Sequence, residues 1–427
     1  MSMRSLSASI YVIALACSLG PALAQSFDSH ARTVNVEPSG TDDTLAIATA
    51  FDICLAVGPG CTVQLSEGTF FTRQQDVAGF RGTFAGAGME ATVIEPITPF
   101  RVSPERVDVS SRAPDPGGAP VMFTFRDTDV TVRDLGFVVR EPAPSEPWFF
   151  GELEIRALAV ILSFEGEHAR VDLERLAIEA GPGVTFGASV FNGVYVLPGP
   201  SGGDVPMVAR LHVRDSRISG PLSGIALGDL EASTVIVRDS RVEAGMAIEI
   251  ANVASSLIEL TGNELAGDEP GVVAQMVAQR RSLSGPTTLV MTDNTVRVSP
   301  GDRSVGVFLG DEGTPPSQHA FVSGNRFELD GSLAAVHGFA DAVVVRDNVV
   351  TGTAASGIRV GGNSPFSGGV VARPWLVVDN DLSALEASYV GSVAILVTNN
   401  SRRGVVACAA PNSVRDGGSS TVLIGCY

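Results

Sequence analysis

Val-Arg-Asp-Ser-Arg-Ile at 213–218 returns as Val-Arg-Asp-Ser-Arg-Val at 237–242. It then recurs as Leu-Thr-Gly-Asn-Glu-Leu (260–265), Met-Thr-Asp-Asn-Thr-Val (291–296) and Val-Ser-Gly-Asn-Arg-Phe (322–327). The last two instances are Val-Arg-Asp-Asn-Val-Val (345–350) and Val-Val-Asp-Asn-Asp-Leu (377–382). Each has alternating apolar positions, a polar pair ending in Ser or Asn, and an apolar residue two steps on. The pivots are Ser216, Ser240, Asn263, Asn294, Asn325, Asn348 and Asn380. Alternation with a period of two is the mark of a strand with one buried face, and no 3.6-residue period competes with it.

A second phrase lies between these pivots. It reads Ser-Gly-Ile-Ala-Leu (223–227), Met-Ala-Ile-Glu-Ile (246–250), Val-Gly-Val-Phe-Leu (305–309), Ala-Ala-Val-His-Gly (334–338) and Ser-Gly-Ile-Arg-Val (356–360). Strands that recur at a variable period of 23 to 32 residues disfavour leucine-rich repeats. They point to a solenoid in which each repeat is one coil and stacking buries the inward faces. Equivalent residues of successive coils then stand ~4.8 Å apart, the spacing of neighbouring strands. The stacked Ser and Asn suit a sharp bend whose side chains hydrogen-bond along the stack; turn residues without a ladder are the plainer reading.

Working outward, the N-terminal part carries Asp42-Asp43-Thr44-Leu45-Ala46-Ile47 through Ala50, then Val63-Gln64-Leu65 and Glu67-Gly68-Thr69-Phe70. Gly86-Ala87-Gly88 followed by Thr92-Val93-Ile94 reads as the next coil. These segments resemble the N-terminal cap and first coils of the pectate-lyase-like superfamily. That resemblance covers nearly the whole chain and implies fold, not activity. The fold expected is all-β: a right-handed parallel β-helix solenoid of about ten coils with an N-terminal capping helix ending near Leu55. Asp42 or Asp43 is the expected N-cap.

The organisation expected is a signal peptide over 1–24 and a single β-helix domain over 25–427. Within it, 25–62 is the N-terminal cap, 63–210 irregular coils with long loops, 211–400 regular coils and 401–427 the C-terminal cap. Arg4, the apolar run Ile10 to Leu19 and Pro21-Ala22-Leu23-Ala24 have the layout of an export signal cleaved before Gln25. A lipoprotein signal ending at Cys17 is the other reading, with Ala14 where such signals usually have leucine. The run is too short to span a bilayer. The expected location is therefore secreted, periplasmic or on the cell surface. In an exported chain, Cys54 with Cys61 and Cys408 with Cys426 read as two sequence-local disulfides. No histidine stands at ligand spacing beside either pair, which disfavours the metal alternative.

All 29 basic residues are arginine, against 47 acids. Without the signal, 28 arginines face 47 acids, a net of −19. That balance argues against nucleic acid and anionic membrane as partners and weakens the case for a strongly anionic polysaccharide. The absence of lysine excludes a lysine base, a Schiff-base lysine and a P-loop lysine. No organic cofactor is expected, and no recognisable carboxylate cluster supports calcium.

The signatures of the fold's characterised enzymes are missing. A polygalacturonase-like chain would carry paired strand aspartates, Gly-His-Gly and Arg-Ile-Lys, and here only His337-Gly338 follows an Ala-Val. The Asp-Pro-His-Asp phrase of alginate epimerases is absent as well. Candidates come instead from the outward position of the second phrase: Tyr195, Ala226, Glu249, Val273, Phe308, His337 and Arg359. Stacking makes these one exposed row, with His337 and Arg359 as neighbours and Phe308 one coil from His337. His337 as base and Arg359 as stabiliser of an enolate or carboxylate are the expected catalytic pair. Phe308, Tyr195 and Glu249 are the expected substrate contacts, although Glu249 stands about three coils from His337, ~14 Å. No metal ligands are expected. Exposed strand positions on any solenoid carry mixed residues, so a structural reading of this row stands beside the functional one.

Asp311, Glu312, His319 and Arg373 are secondary candidates on neighbouring loops. The other strand gives a second outward row, His212, Ile236, Glu259, Val290, Phe321, Val344 and Leu376. Its apolar half is expected under a loop or the C-terminal tail, or at a contact between copies in a homo-oligomer. Two functions follow: a lyase, hydrolase or epimerase acting on an extracellular polysaccharide, or a non-catalytic glycan-binding or surface scaffold.

Overall fold

The computed structural model describes residues 25–97, 121–139, 148–150, 153–155, 158–181, 190–198, 206–267, 272–278, 285–311, 318–338, 340, 342–360, 375–387, 393–397 and 413–414. The expected signal peptide, Cys408 and Cys426, Glu312 and Arg373 lie outside them. The chain forms two compact units, Met1–Val190 and Phe191–Tyr427. Both are built from short strands paired in parallel across successive coils, and the fold is a parallel β-helix.

In the first unit, Gln25–Asp28 pairs antiparallel with Thr33–Val36, which then opens a parallel series through Cys61–Leu65, Arg81–Ala85, Asp129–Val139 and His168–Ala180. A second series runs Gln75–Ala78, Val121–Arg126 and Leu158–Glu165. The interior is aromatic: Phe51 on the helix meets Phe80, Phe84 and Phe125, and Phe125 stacks on Phe164.

The helix spans Thr44–Val57 and buries Ala46, Ile47, Ala50, Phe51 and Cys54, one helical face, toward these rings. It runs two residues beyond the expected end and stops at Gly58, whose N–H donates to the Cys54 carbonyl at 2.9 Å. Asp43 holds the N-cap position, but its carboxylate makes no capping bond. The buried carboxylate instead accepts the N–H of Ser39 at 2.8 Å and of Phe71 at 2.9 Å, tying the helix start to the strand Gly68–Thr72. Asp42 accepts the Thr44 N–H at 3.0 Å and pairs with Arg73 at 3.1 Å. The two aspartates divide the work that the sequence assigns to one. The Cys54–Cys61 disulfide is formed and fastens the helix to the first parallel strand.

In the second unit the strands fall into three parallel ladders. The first phrase supplies two of them. One is Val208–Arg214, Thr234–Arg238, Leu257–Thr261, Thr287–Thr292, Gln318–Ser323, Val343–Arg346 and Trp375–Val378. The next begins just past the pivots, from Arg217–Ser219 to Asp381–Ala387. The pivots between them are buried and form a continuous chain of hydrogen bonds. The N–H of Ser216 donates to Ser240 Oγ at 3.2 Å and that of Ser240 to Asn263 Oδ1 at 3.0 Å. The same relation continues through Asn294, Asn325, Asn348 and Asn380.

The residue before each pivot takes positive φ: Asp215, Asp239, Gly262, Asp293, Gly324, Asp347 and Asp379, at 50° to 69°. Glycine adopts this conformation freely and aspartate more readily than most side chains, which is why the phrase admits only Asp or Gly there. A second bend repeats the device with Ser233 and Ser256, preceded by Ala232 and Ser255 at positive φ, and the Ser233 N–H donates to Ser256 Oγ at 2.9 Å.

Candidate functional site

The second phrase forms the third ladder of the second unit, and its register decides the candidate row. Tyr195 pairs with Ala226, Ala226 with Glu249, Glu249 with Gln275, Gln275 with Phe308, Phe308 with His337 and His337 with Arg359. The row continues to Leu396. Its fourth member is Gln275, not Val273. The strand Val272–Ala278 reads Val-Val-Ala-Gln-Met-Val-Ala, where Val273 falls two positions short and Gln275 is the one polar residue between apolar neighbours.

The row is not an open surface. Phe308 is 2% exposed, His337 0% and Tyr195 8%, while Glu249 and Arg359 are half-buried. Outward-pointing strand residues are exposed only where nothing lies over the sheet, and strand alternation carries no information on that. The Phe308 ring turns along the strand and lies over Gly310, where an added Cβ would come within 2.3 Å of it. It meets the His337 imidazole edge-on, with centroids 5.5 Å apart. Phe308 and His337 are thus one packed pair.

The two reachable groups differ in chemistry. Glu249 accepts a hydrogen bond from Ser223 Oγ at 2.9 Å. Burial pushes its carboxyl above the usual carboxylate range, and the Ser223 bond only partly opposes this. A carboxyl so placed holds its proton more firmly than an exposed one and can hydrogen-bond a hydroxyl. Arg359 stands at the other end of the row with its Nε buried and without a hydrogen-bond partner. No described carboxylate forms an ion pair with it.

The second outward row holds in register from His212 through Ile236, Glu259, Val290, Phe321 and Val344 to Leu376. Val290, Phe321 and Val344 are half-buried and Leu376 is exposed, with the Arg346 guanidinium 5.1 Å from the Phe321 ring centroid. Asp311 ends the strand Gly301–Asp311, and His319 lies beside Thr288 with its Nε2 buried.

The first unit has a polar cluster that the sequence reading passed over. Arg126 lies 2.5 Å from Asp76 and 3.6 Å from the buried Glu165, whose other oxygen accepts Ser163 Oγ at 3.0 Å. Thr124, beside Asp76 and Ser163 in register, has its hydroxyl buried without a partner. The visible signal was polar residues alternating with buried apolar ones in Phe123-Thr-Phe-Arg and Leu162-Ser-Phe-Glu. Among the described residues no group of three or more His, Cys, Asp or Glu could hold a metal ion, and no helix is long and apolar enough to cross a membrane.

No family model and no curated protein matches the sequence. Solved structures do. The chain is similar to the Dettilon tailspike protein, at TM-score 0.54 and 11% identity, covering 87% of this chain and 66% of that one. It is also similar to the catalytic domain of a GH87 α-1,3-glucanase bound to nigerose, at TM-score 0.54 and 8% identity, covering 91% of this chain and 70% of that one. At such identities the likeness shows the fold alone. The chain spans about two thirds of each of these proteins.

Proposed function

We propose that this protein is a secreted carbohydrate-active β-helix that acts on an extracellular glycan, with its site on the row from Tyr195 to Arg359. The observation that carries the reading is the register itself. One line of the ladder carries a largely buried tyrosine, a carboxylic acid with a raised proton affinity, an imidazole packed against a phenyl ring, and an arginine with no carboxylate beside it among the described residues. Aromatic faces and hydroxyl-bonding acids are what a sugar needs from a protein wall. The glucanase that shares the fold supports the reading by analogy.

In this reading Arg359 stabilises developing negative charge, and Glu249, four coils away, binds a hydroxyl further along the glycan. His337 is fully buried and acts as base only if it becomes exposed to substrate. The enclosure of His337 and Phe308 favours a second reading, a glycan-binding scaffold in which that pair is packing.

A panel of neutral and acidic polysaccharides decides between them. Reaction is followed by the ultraviolet absorbance of unsaturated products and by new reducing ends, and binding by affinity electrophoresis. The enzymatic reading expects product from at least one polymer and its loss in Glu249→Gln or His337→Ala. Binding without product supports the scaffold. Neither binding nor product on any polymer overturns both.

A further inference from the structure

Among the described residues, Arg32, Arg81 and Arg210 stand without a carboxylate but are exposed, whereas Arg359 is half-buried. Arg73, Arg126, Arg175, Arg238 and Arg326 each have a carboxylate beside them. Arg359 has none among the described residues, its Nε is buried without a partner, and its neighbours along the row are His337 and Leu396. A half-buried guanidinium has lost part of its hydration, and without a counter-charge this is destabilising. A half-buried arginine with no carboxylate beside it among the described residues is suited to receive an anion. The guanidinium fork suits a carboxylate or a sulfate ester, both of which offer two oxygens in one plane.

The rest of the molecule restricts the ligand further. The net charge of −18 repels a dense polyanion at long range. Glu249, the other reachable group, stands four coils away along the row, ~19 Å, and offers a carboxyl to hydroxyls rather than a cation to acids. Resting on the glycan-acting reading, we propose that Arg359 is a specificity-determining residue that selects a glycan with an isolated acidic group, carboxylate or sulfate ester, on an otherwise neutral chain.

The test reads Arg359 directly. In the full chain labelled with 15N, the Arg359 Nε–H resonance is identified by its loss in Arg359→Gln. Sodium sulfate, D-glucuronate and D-glucose are then titrated separately at fixed ionic strength. The expected result is a saturable shift with glucuronate, sulfate or both, and none with glucose; which anion acts tells carboxylate from sulfate ester. A resonance unmoved by both anions overturns the proposal even if a polysaccharide is bound or cleaved. Saturable shifts without any polysaccharide activity would retain the anion site and sink the glycan reading on its own.

Two further measurements keep a merely structural arginine apart. Arg359→Gln without ligand should leave the melting temperature unchanged or raised, because it removes an uncompensated charge; a clear fall means the side chain is a structural tie. Tight retention on immobilised polygalacturonate at low ionic strength would overturn the isolated-charge part, and passage through the column supports it.

Discussion

Asn325 donates both its backbone N–H and a side-chain N–H to one oxygen, Asn348 Oδ1, each at 3.0 Å. Its own Oδ1 receives the same two donors from Asn294 at 3.0 and 2.9 Å, and its Nδ2 also reaches the Met291 carbonyl at 2.9 Å. Each asparagine thereby satisfies backbone groups of two coils from a buried position.

Truncating a central member should be costly. Asn325→Ala strands the Asn294 backbone N–H and takes a donor from the Met291 carbonyl, while Asn294 Nδ2 keeps the Leu260 and Thr292 carbonyls; unsatisfied buried groups cost about 1–3 kcal/mol each. A loss of about 3 kcal/mol or more is expected, against about 1 kcal/mol for Ser240→Ala. Ser240 Oγ has only two bonds to lose, to the Ser216 N–H and the Arg238 carbonyl. Urea unfolding of the two variants checks the ranking, and equal losses would show that the stack is not cooperative.

The ladder was legible because its phrase recurs seven times with Asp or Gly fixed before the pivot, and only the positive φ of that position explains so narrow a choice. The Ser233–Ser256 bend uses the same device but was not read, because alanine and serine before it carry no such signal. Row membership followed from alternation for Phe308, His337 and Arg359, where glycine and small residues mark the phrase. It failed at Gln275, where valines fill both parities. The enclosure of Phe308 and His337 could not be read at all, since it depends on what lies over the sheet. Arg126 and Glu165 were missed because their coils lack the repeated phrase.

Glu249 should leave a pH signature on stability. Its carboxyl is pushed up in the folded state, so above the ordinary glutamate range the unfolded chain has lost a proton that the folded chain still holds or releases at a cost. Its contribution to stability therefore falls as pH rises from the ordinary value through the folded one. Glu249→Gln keeps an oxygen for Ser223 Oγ and removes the charge. The variant's melting temperature relative to the parent should be higher at pH 7.5 than at pH 4. A difference independent of pH would show that Glu249 is well solvated.

The Cys54–Cys61 bond closes a short loop, with a sequence separation of 7. Chain-entropy arguments assign such a loop about 2 kcal/mol. Replacing both cysteines by alanine should destabilise the first unit by roughly that amount. Unfolding followed in the first unit reads the loss, and an unchanged midpoint would show that the helix needs no such tie.

Arg175 and Asp134 are joined by two hydrogen bonds, at 2.6 and 3.0 Å, and both stand at positive φ, 48° and 58°. The Arg175 bond and charge hold the Asp134 carboxyl below its usual range. Stability from the pair is present above the ordinary aspartate range and lost as pH falls through the folded value. Both side chains are partly exposed, so Arg175→Ala should cost only about 1 kcal/mol at pH 7. Parent and variant should converge in strong acid, and a gap that persists there would assign the loss to packing.

Phe308 tests whether the row is enclosed in solution. A ring 2% exposed, lying over Gly310 and edge-on to His337, is a core residue on the outer side of a strand. Phe308→Ala should then cost about 3–5 kcal/mol, as deletion of a buried ring does elsewhere. A conservative Phe308→Leu should recover most of it. If truncation costs less than about 1 kcal/mol, the ring faces solvent much of the time, and His337 beside it is open to a substrate. A full loss with retained glycan activity would instead place the working surface at Glu249 and Arg359, with the histidine and its phenyl partner as the floor beneath it.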